Sequence, residues 1–412
     1  MAHVDQRGER RAVFVDRAAP GDEAEVAVDF STRPARGSIV RLEKPSQHRI
    51  EPPCPVADVC GGCDFMHIEP AFAFSTLTDL VRAVLPPAFR SVTIEHHRSP
   101  SDVGYRTRVR VHVAARRGKA EAGMRQTRSH TIVRTDKCIV LDARIDRARM
   151  ELESMLVGSD IVGEASLALG PFGNAGTQLP VCDLSFRGEL APSFFAAADK
   201  AVHEGRFAGI RAHEPEAKRP LEIGDSTPWI SGADGKAMSL AKGGFAQANL
   251  SINRVLAERV AFFASQLAPK GSAAIELYAG AGNLSVLLAG IFTLHTIESS
   301  EDACAAARTN LETRGLTAKV TTGDAAAFRI PNGTQVLVLD PPRTGAREVA
   351  DQLAAASRPP AVVYVSCDPP SLGRDLSILE AAGFDLAALE TFEMFPRTSH
   401  VETLAVLRKA RD

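Results

Sequence analysis

From Ala273 onward, short apolar runs alternate with helix-length segments, and each run stops at a polar residue or a glycine. Ala273–Tyr278 leads into Gly280-Ala281-Gly282, Leu294–Glu298 closes on its own carboxylate, Val336–Leu339 meets Asp340-Pro341-Pro342-Arg343, and Val362–Val365 meets Cys367-Asp368-Pro369-Pro370. Apolar runs that do not alternate are buried on both faces, as in a parallel sheet covered by helices. Such sheets gather ligands and chemistry at the carboxyl ends of their strands. The class is therefore α/β, and the residues that end the strands are the candidates for function. An isolated cysteine ordinarily packs as a small apolar filler. Cys367, at a strand's carboxyl end, is also placed to act as a nucleophile.

At 412 residues the chain has room for two or three domains with real cores. No apolar run approaches the roughly 20 residues of a membrane helix. Met1–Arg10 is too polar for a secretory signal, so the expected compartment is the reducing cytoplasm, with no membrane partner. There are seven cysteines. An odd number in a long chain argues for metal or catalytic use over a disulfide framework. With a net charge of -2, any basic surface must be local.

Arg11–Val15 and Ala24–Val28 alternate around Pro20-Gly21-Asp22, which predicts a hairpin in a small β module that ends at Glu51-Pro52-Pro53. Then comes CPVADVCGGC, in which Cys54, Cys60 and Cys63 can converge on one metal centre while Gly61-Gly62 lets the backbone wrap closely. Cys138 is the best fourth ligand, because Cys182 and Cys304 lie in segments that read as packing. The spacing supports structural zinc and an iron-sulfur cluster equally. Phe74, Leu77, Leu80, Val81 and Val84 recur at helical spacing over Pro70–Leu85. Over Tyr105–Val113, Val109, Val111 and Val113 share one face, and Arg106, Arg108, Arg110 and His112 share the other. That basic face is either a solvated surface or a holder of RNA phosphates. Met150–Lys242 reads as short strands with scattered Gly and Pro, without a motif.

Gly243-Gly244 breaks the chain before a helix over Asn249–Leu267. The Gly280–Gly282 turn admits a nucleotide-like ligand, but Ser285 replaces the third glycine of a dinucleotide fingerprint. Glu298 suits two ribose hydroxyls or, more simply, a helix start.

ELYAGAGN, LDPPRTGA, YVSCDPPSLGRD and MFPRTSHVE, in this order from Glu276 to Glu402, resemble the RNA uracil-5-methyltransferases of the RumA/TrmA type, within the class I S-adenosylmethionine methyltransferases. The CGGC run with its later cysteine is similar to the iron-sulfur site of the RumA branch. The opening module looks like its OB-like TRAM domain, shortened at the first strand. Asp368 departs from the asparagine that many members carry after the nucleophile. The resemblance implies a TRAM-like module at 1–52, a central α+β RNA-binding domain at 53–243 with a 4Fe-4S cluster on Cys54, Cys60, Cys63 and Cys138, and a Rossmann-like catalytic domain at 244–412. It further implies a methyl-donor site of Gln247, Tyr278, Gly280, Gly282, Asn283, Glu298 and Asp340, with Asp324 near the adenine. Phe245 would stack on the target base or serve as core.

Uracil C5 is too electron-poor to attack a methyl donor until a nucleophile adds to C6. Cys367 is the implied nucleophile, and Glu402 the base that then removes the C5 proton. His400 would orient Glu402 or contact RNA. The implied function is methylation of uridine C5 in 23S ribosomal RNA by a monomer, with the T-loop of tRNA as the alternative substrate. An RNA-binding iron-sulfur protein without catalysis is the alternative from another class; Cys367 and Glu402 together speak against it.

Overall fold

The computed structural model describes residues 2–6, 9–216, 219–356 and 360–409. The opening module is a four-stranded sheet of β1 (Ala2–Gln6), β2 (Glu9–Asp16), β3 (Glu23–Asp29) and β4 (Arg36–Lys44) in the order β1-β2-β4-β3. Among the described residues this is fewer than the roughly five strands of an OB barrel. The predicted hairpin of β2 with β3 does not form. Instead β4 lies between them, parallel to β2 and antiparallel to β3. The intervening turn is pulled toward the module's exit. Asp22 accepts from Arg49 Nε at 2.8 Å and from the Ser46 N–H at 2.9 Å, and Arg49 donates to the Arg17 carbonyl at 2.7 Å.

α1 (Pro70–Val84) and β5 (Ile94–His97) come next, followed by a seven-stranded sheet. Its strands are β6 (Arg108–Arg116), β7 (Lys119–Arg125), β8 (Ile132–Val133), β9 (Asp160–Phe172), β10 (Gln178–Glu189), β11 (Gly209–His213) and β12 (Leu221–Gly224), in the order β12-β11-β10-β9-β6-β7-β8. α2 (Ala143–Met155) and α3 (Pro192–His203) cover its apolar face, where Val109, Val111 and Val113 pack with Ile145, Leu152 and Phe194. Of the short strands expected after Met150, β11 and β12 are short, but β9 and β10 run for 13 and 12 residues. Their glycines serve close approach and do not make turns: a Cβ on Gly163 would lie 2.2 Å from the Ser185 carbonyl oxygen. On the opposite face basic side chains meet acids from neighbouring strands. On β6, His112 lies 3.2 Å and Arg110 3.8 Å from Glu164 of β9, and Arg211 of β11 lies 3.2 Å from Asp183 of β10. The face that looks uniformly basic in β6 alone is thus of mixed charge.

The remaining elements are β13 (Trp229–Ser231), β14 (Ala237–Ser239), α4 (Leu250–Leu267), β15 (Ala273–Leu277), α5 (Ser285–Leu288), β16 (Thr293–Glu298), α6 (Glu301–Glu312), β17 (Ala318–Thr322), β18 (Val336–Leu339), α7 (Arg347–Ala356), β19 (Ala361–Ser366), α8 (Pro369–Ala381), β20 (Phe384–Phe392) and β21 (Glu402–Lys409). They build an eight-stranded sheet in the order β17-β16-β15-β18-β19-β21-β20-β5, with β21 antiparallel to both neighbours. The order reverses between β15 and β18, where doubly wound sheets open a crevice for ligands. The outermost strand, β5, comes from the region expected to be central, and α1 packs its Phe74, Leu77 and Val81 into the core shared with α8. Residues 70–97 therefore pack with the catalytic sheet, and the expected division at 243/244 is not where the sheets part. Leu80, expected in the apolar stripe of α1, is exposed.

Candidate active site

The expected donor residues converge on the carboxyl edge of this sheet. Tyr278 follows β15 with φ 65°, Gly280 with φ 55° and Gly282 with φ 88°, all in the left-handed region. A Cβ on Gly282 would stand 3.3 Å from that of Ala307, whereas one on Gly280 would meet nothing within 4 Å. Gly282 is thus set by packing against α6, while the backbone of Gly280 faces open space where a ligand can approach. The Gly280 N–H donates to Glu298 at 3.0 Å, and the same carboxylate accepts from the Ser300 N–H at 2.8 Å. Ser300, not Glu298, caps α6, which removes the helix-start reading of Glu298.

Gln247 has a buried side-chain oxygen with no partner. A buried acceptor left unpaired is costly, which makes this atom a candidate to receive a hydrogen bond from a bound molecule. Asn283 differs. Its amide forms a reciprocal pair with Asn253 at 3.1 and 2.8 Å, which ties the glycine turn to α4. Asp324 is exposed beyond β17 and accepts from the Ala326 N–H at 2.9 Å. Phe245 is 75% exposed, so it is not core.

The two candidate catalytic groups meet two strands away. Pro369 and Pro370 occupy the first turn of α8, where missing N–H groups cost little, and Asp368 caps it by accepting from the Ser371 N–H at 3.0 Å. SCDPP is therefore the end of one strand and the start of one helix, with half-buried Cys367 at the join. Ser366 pairs with Thr403 in the antiparallel ladder of β19 and β21, which sets Cys367 beside Glu402. Asp340 ends β18, the next strand over.

Burial, then the charges of Glu402 and Asp340, push the Cys367 thiol up to about 11, with Arg343 opposing. Burial and Asp340 push Glu402 up to about 8, and burial pushes Asp340 up to about 7. Three acidic groups thus share a site with one cation; burial raises all three, and the neighbouring acids raise Cys367 and Glu402 further. Burial and Arg343 push His400 down, so its neutral ring accepts at Nε2 from the Arg343 guanidinium, 3.3 Å away.

One supporting network was not anticipated. The Tyr364 hydroxyl donates to Asp375 at 2.6 Å, and the Ala346 N–H donates to Asp375 at 2.8 Å and to the Tyr364 oxygen at 3.0 Å. It pins the loop after Asp340-Pro341-Pro342-Arg343 to β19 and α8. A Cβ on Gly345 would come within 2.6 Å of the Asp375 carboxylate, so only glycine fits. The available signal was an acid inside the apolar stripe Leu372, Leu376, Leu379.

Cys54, Cys60, Cys63 and Cys138 line a single cavity of about 50 Å³, together with Met66, Arg106, Val109 and Met124. The Gly61 N–H donates to the Arg125 carbonyl at 2.9 Å, and the Cys138 N–H to Asp146 at 3.1 Å. Cys63 is pushed up to about 12 by burial and then by the other thiols. Among the described residues, the side chains close enough for three ligand atoms to lie within 4.8 Å of one another are Glu95, His97 and Glu390, and not any three of these cysteines. Arg259 already occupies that carboxylate set, 3.0 Å from Glu390 and 3.3 Å from Glu95. Cys182 and Cys304 are fully buried.

The family profile described as tRNA (Uracil-5-)-methyltransferase matches residues 332–410, from before β18 to the end of β21. The 23S rRNA (uracil(1939)-C(5))-methyltransferase RlmD of Alkalilimnicola ehrlichii is 30% identical over 100% of this chain and 94% of its own length. That of Thiobacillus denitrificans is 31% identical over 99% of this chain and 97% of its own. The chain belongs to the RNA uracil-5-methyltransferase family. Its fold matches the Pyrococcus abyssi tRNA (uracil-54, C5)-methyltransferase, solved with S-adenosyl-L-homocysteine, at a TM-score of 0.73 and 21% identity over 98% of this chain and 96% of that one. In this uracil-5-methyltransferase the profile covers the strand ends that carry Asp340, Cys367 and Glu402. The full-length relatives extend across the cysteine segment as well.

Proposed function

We propose that this enzyme methylates C5 of a uridine in 23S ribosomal RNA, with S-adenosylmethionine as donor. The observation that carries the reading is Cys367 set beside buried Glu402 by the β19–β21 ladder, at the edge that also holds the glycine turn. Cys367 gives up its thiol proton and adds to C6 as a thiolate, which makes C5 nucleophilic; C5 would then form its bond to the donor's methyl group as the sulfonium S–CH3 bond breaks and S-adenosylhomocysteine leaves. Glu402 then takes the C5 proton, the C–H electron pair becomes the C5–C6 double bond, and the thiolate leaves. A carboxyl pushed up to about 8 is matched to such a task near neutral pH. Asp340 and Arg343 bracket the pair and set the charge that the reacting ring meets.

The donor site fits its ligand. Gln247 presents an unpartnered buried acceptor, Gly280 leaves its backbone open, and Glu298 stands at the end of β16 to receive ribose hydroxyls. S-adenosylmethionine would supply the methyl group there. Tyr278 and Asp324 flank the same crevice, whereas Asn283 shapes the turn through Asn253.

For the four cysteines an iron-sulfur cluster is the better match. All four line one cavity, and the resemblance of the CGGC run with its later cysteine to the iron-sulfur site of the RumA branch favours 4Fe-4S over zinc. The parts we assign are a TRAM-like module over 1–52, the cysteine-bearing RNA-binding part after it, and the catalytic sheet. The chain acts in the cytoplasm as a monomer.

The T-loop of tRNA is the second reading, favoured by the fold match to a tRNA enzyme. Incubation with labelled donor and either a 23S rRNA or a tRNA transcript, followed by mapping of 5-methyluridine, separates the two. Label in rRNA alone is expected; label in the T-loop alone would overturn the rRNA assignment.

A further inference from the structure

Between Phe392, the last residue of β20, and Glu402, the first of β21, the chain makes an excursion that is gripped from outside. The Phe65 N–H donates to the Arg397 carbonyl at 3.0 Å, and the Ser399 N–H donates to the Asp64 carboxylate at 2.8 Å. Asp64 and Phe65 directly follow Cys63. The buried Tyr105 hydroxyl donates to the Pro396 carbonyl at 3.1 Å. On either side of Tyr105, the N–H groups of Gly104 and Arg106 donate to Ile139 and Val140 at 2.8 and 3.0 Å, just after Cys138. Arg397 Nε donates to Asp102 at 2.8 Å.

The excursion's internal contacts are short-range: Thr398 bonds the Phe395 carbonyl through N–H and hydroxyl at 3.2 and 2.7 Å, the His400 N–H donates to the Thr398 hydroxyl at 3.3 Å, the Met394 N–H to the Phe392 carbonyl at 2.9 Å, and the Phe395 and His400 rings meet edge-on. Arg397 sits at φ 67°, a region that L side chains rarely adopt, and its Nη1 is buried without a partner. A conformation of this kind persists only when its surroundings impose it.

We propose that Asp64 is a positioning residue. Together with Tyr105 it fixes the 395–399 loop and so aims the Glu402 carboxylate at the ring held by Cys367. The cysteine-bearing segment is thereby a brace for proton removal. This rests on the reading of Cys367 and Glu402 given above.

The consequence is specific to one step. Addition of Cys367 to C6 and methylation at C5 do not use the Glu402 carboxylate. Loss of the C5 proton does, because only then can the C–H pair form the double bond and expel the thiolate. A misaimed carboxylate therefore strands the methylated ring on Cys367.

The test compares the full-length wild type, Asp64→Ala and Asp64→Asn on an RNA transcript that the wild type methylates, with S-adenosylmethionine present. Denaturation-resistant conjugate, turnover, KM for RNA and bound iron are measured for each. Asp64→Ala is expected to accumulate conjugate and lose turnover by about 10-fold, part of the span a positioned base contributes, with KM for RNA and bound iron unchanged. Asp64→Asn, whose amide oxygen still accepts from Ser399, is expected to match the wild type. Wild-type conjugate and turnover in Asp64→Ala would overturn the proposal, as would equal impairment of both variants. Should Asp64→Ala fail to fold, Tyr105→Phe decides: conjugate raised about 3-fold supports the brace, and wild-type levels overturn it. A wild type that makes 5-methyluridine through Cys367 keeps the underlying reading whatever these variants do. One that forms no covalent conjugate with RNA carrying 5-fluorouridine discards both.

Discussion

Cys367 and Cys63 are both half-buried thiols whose ionisation burial opposes, yet their surroundings suit them to opposite uses. Around Cys367 the neighbours are Glu402, Asp340 and Arg343, delivered by the ends of adjacent strands and one loop. They can exchange protons and meet a charged substrate. Around Cys63 the neighbours are three more thiols, Arg106 and a mostly apolar wall that includes Val109 of β6 and Met124 of β7. Those sulfurs can only share something placed among them. Burial is common to both, so it is the company of a thiol that distinguishes nucleophile from ligand.

The sharpest break would come from Cys367→Ala, expected to lower methylation by about 10⁴-fold or more while bound iron stays at wild-type level. Loss of iron in that variant would merge two sites that we hold distinct. Glu402→Gln is expected to cost about 10²- to 10⁴-fold in turnover and to accumulate the protein–RNA conjugate. Normal turnover would leave the base unassigned to Glu402. Cys63→Ser should act the other way round, releasing the metal first and lowering activity by about 10- to 100-fold as the support around the site loosens. A metal-replete Cys63→Ser enzyme would show that this thiol is not a ligand. Tyr364→Phe, which removes a buried donor to Asp375 without touching either thiol, is expected to destabilise the fold by about 1–3 kcal/mol in denaturant titration.

The pH dependence sharpens the contrast further. Because Glu402 is raised to about 8, its proton-accepting form grows as pH rises toward that value. Conjugate breakdown should therefore accelerate from about pH 6, reach half its limit near pH 8 and level off above about pH 9, with no matching change in bound iron. A breakdown rate flat across that range would contradict a buried carboxyl base.

The strand ends of the catalytic sheet were legible in the sequence because both causes are local. Unbroken apolar runs such as Val336–Leu339 announce buried parallel strands, and Asp340 and Cys367 announce where those strands stop. The pairing of Cys367 with Glu402 depends on register across residues far apart, so it came from the resemblance and not from spacing. The β2–β3 hairpin misled because the bonds that move its turn, from Arg49 and Ser46 to Asp22, lie more than twenty residues away. The mixed charge around the basic face of β6 was hidden for a similar reason, since Glu164 sits on another strand. The place of β5 at the edge of the catalytic sheet was equally hidden, as its partner β20 follows some three hundred residues later. Gln247 was named, but the unpaired oxygen that makes its case is visible only in three dimensions.

The account's central claim is a bond between Cys367 and a pyrimidine carbon. It is tested most directly by incubating the wild type with donor and RNA carrying 5-fluorouridine, whose C5 fluorine cannot leave as a proton, then digesting the trapped conjugate and sequencing its cross-linked peptide by mass spectrometry. The account predicts a nucleotide attached to the sulfur of Cys367 within YVSCDPPSLGR. Attachment at Cys54, Cys60, Cys63 or Cys138, or methylated product with no conjugate at all, would contradict it.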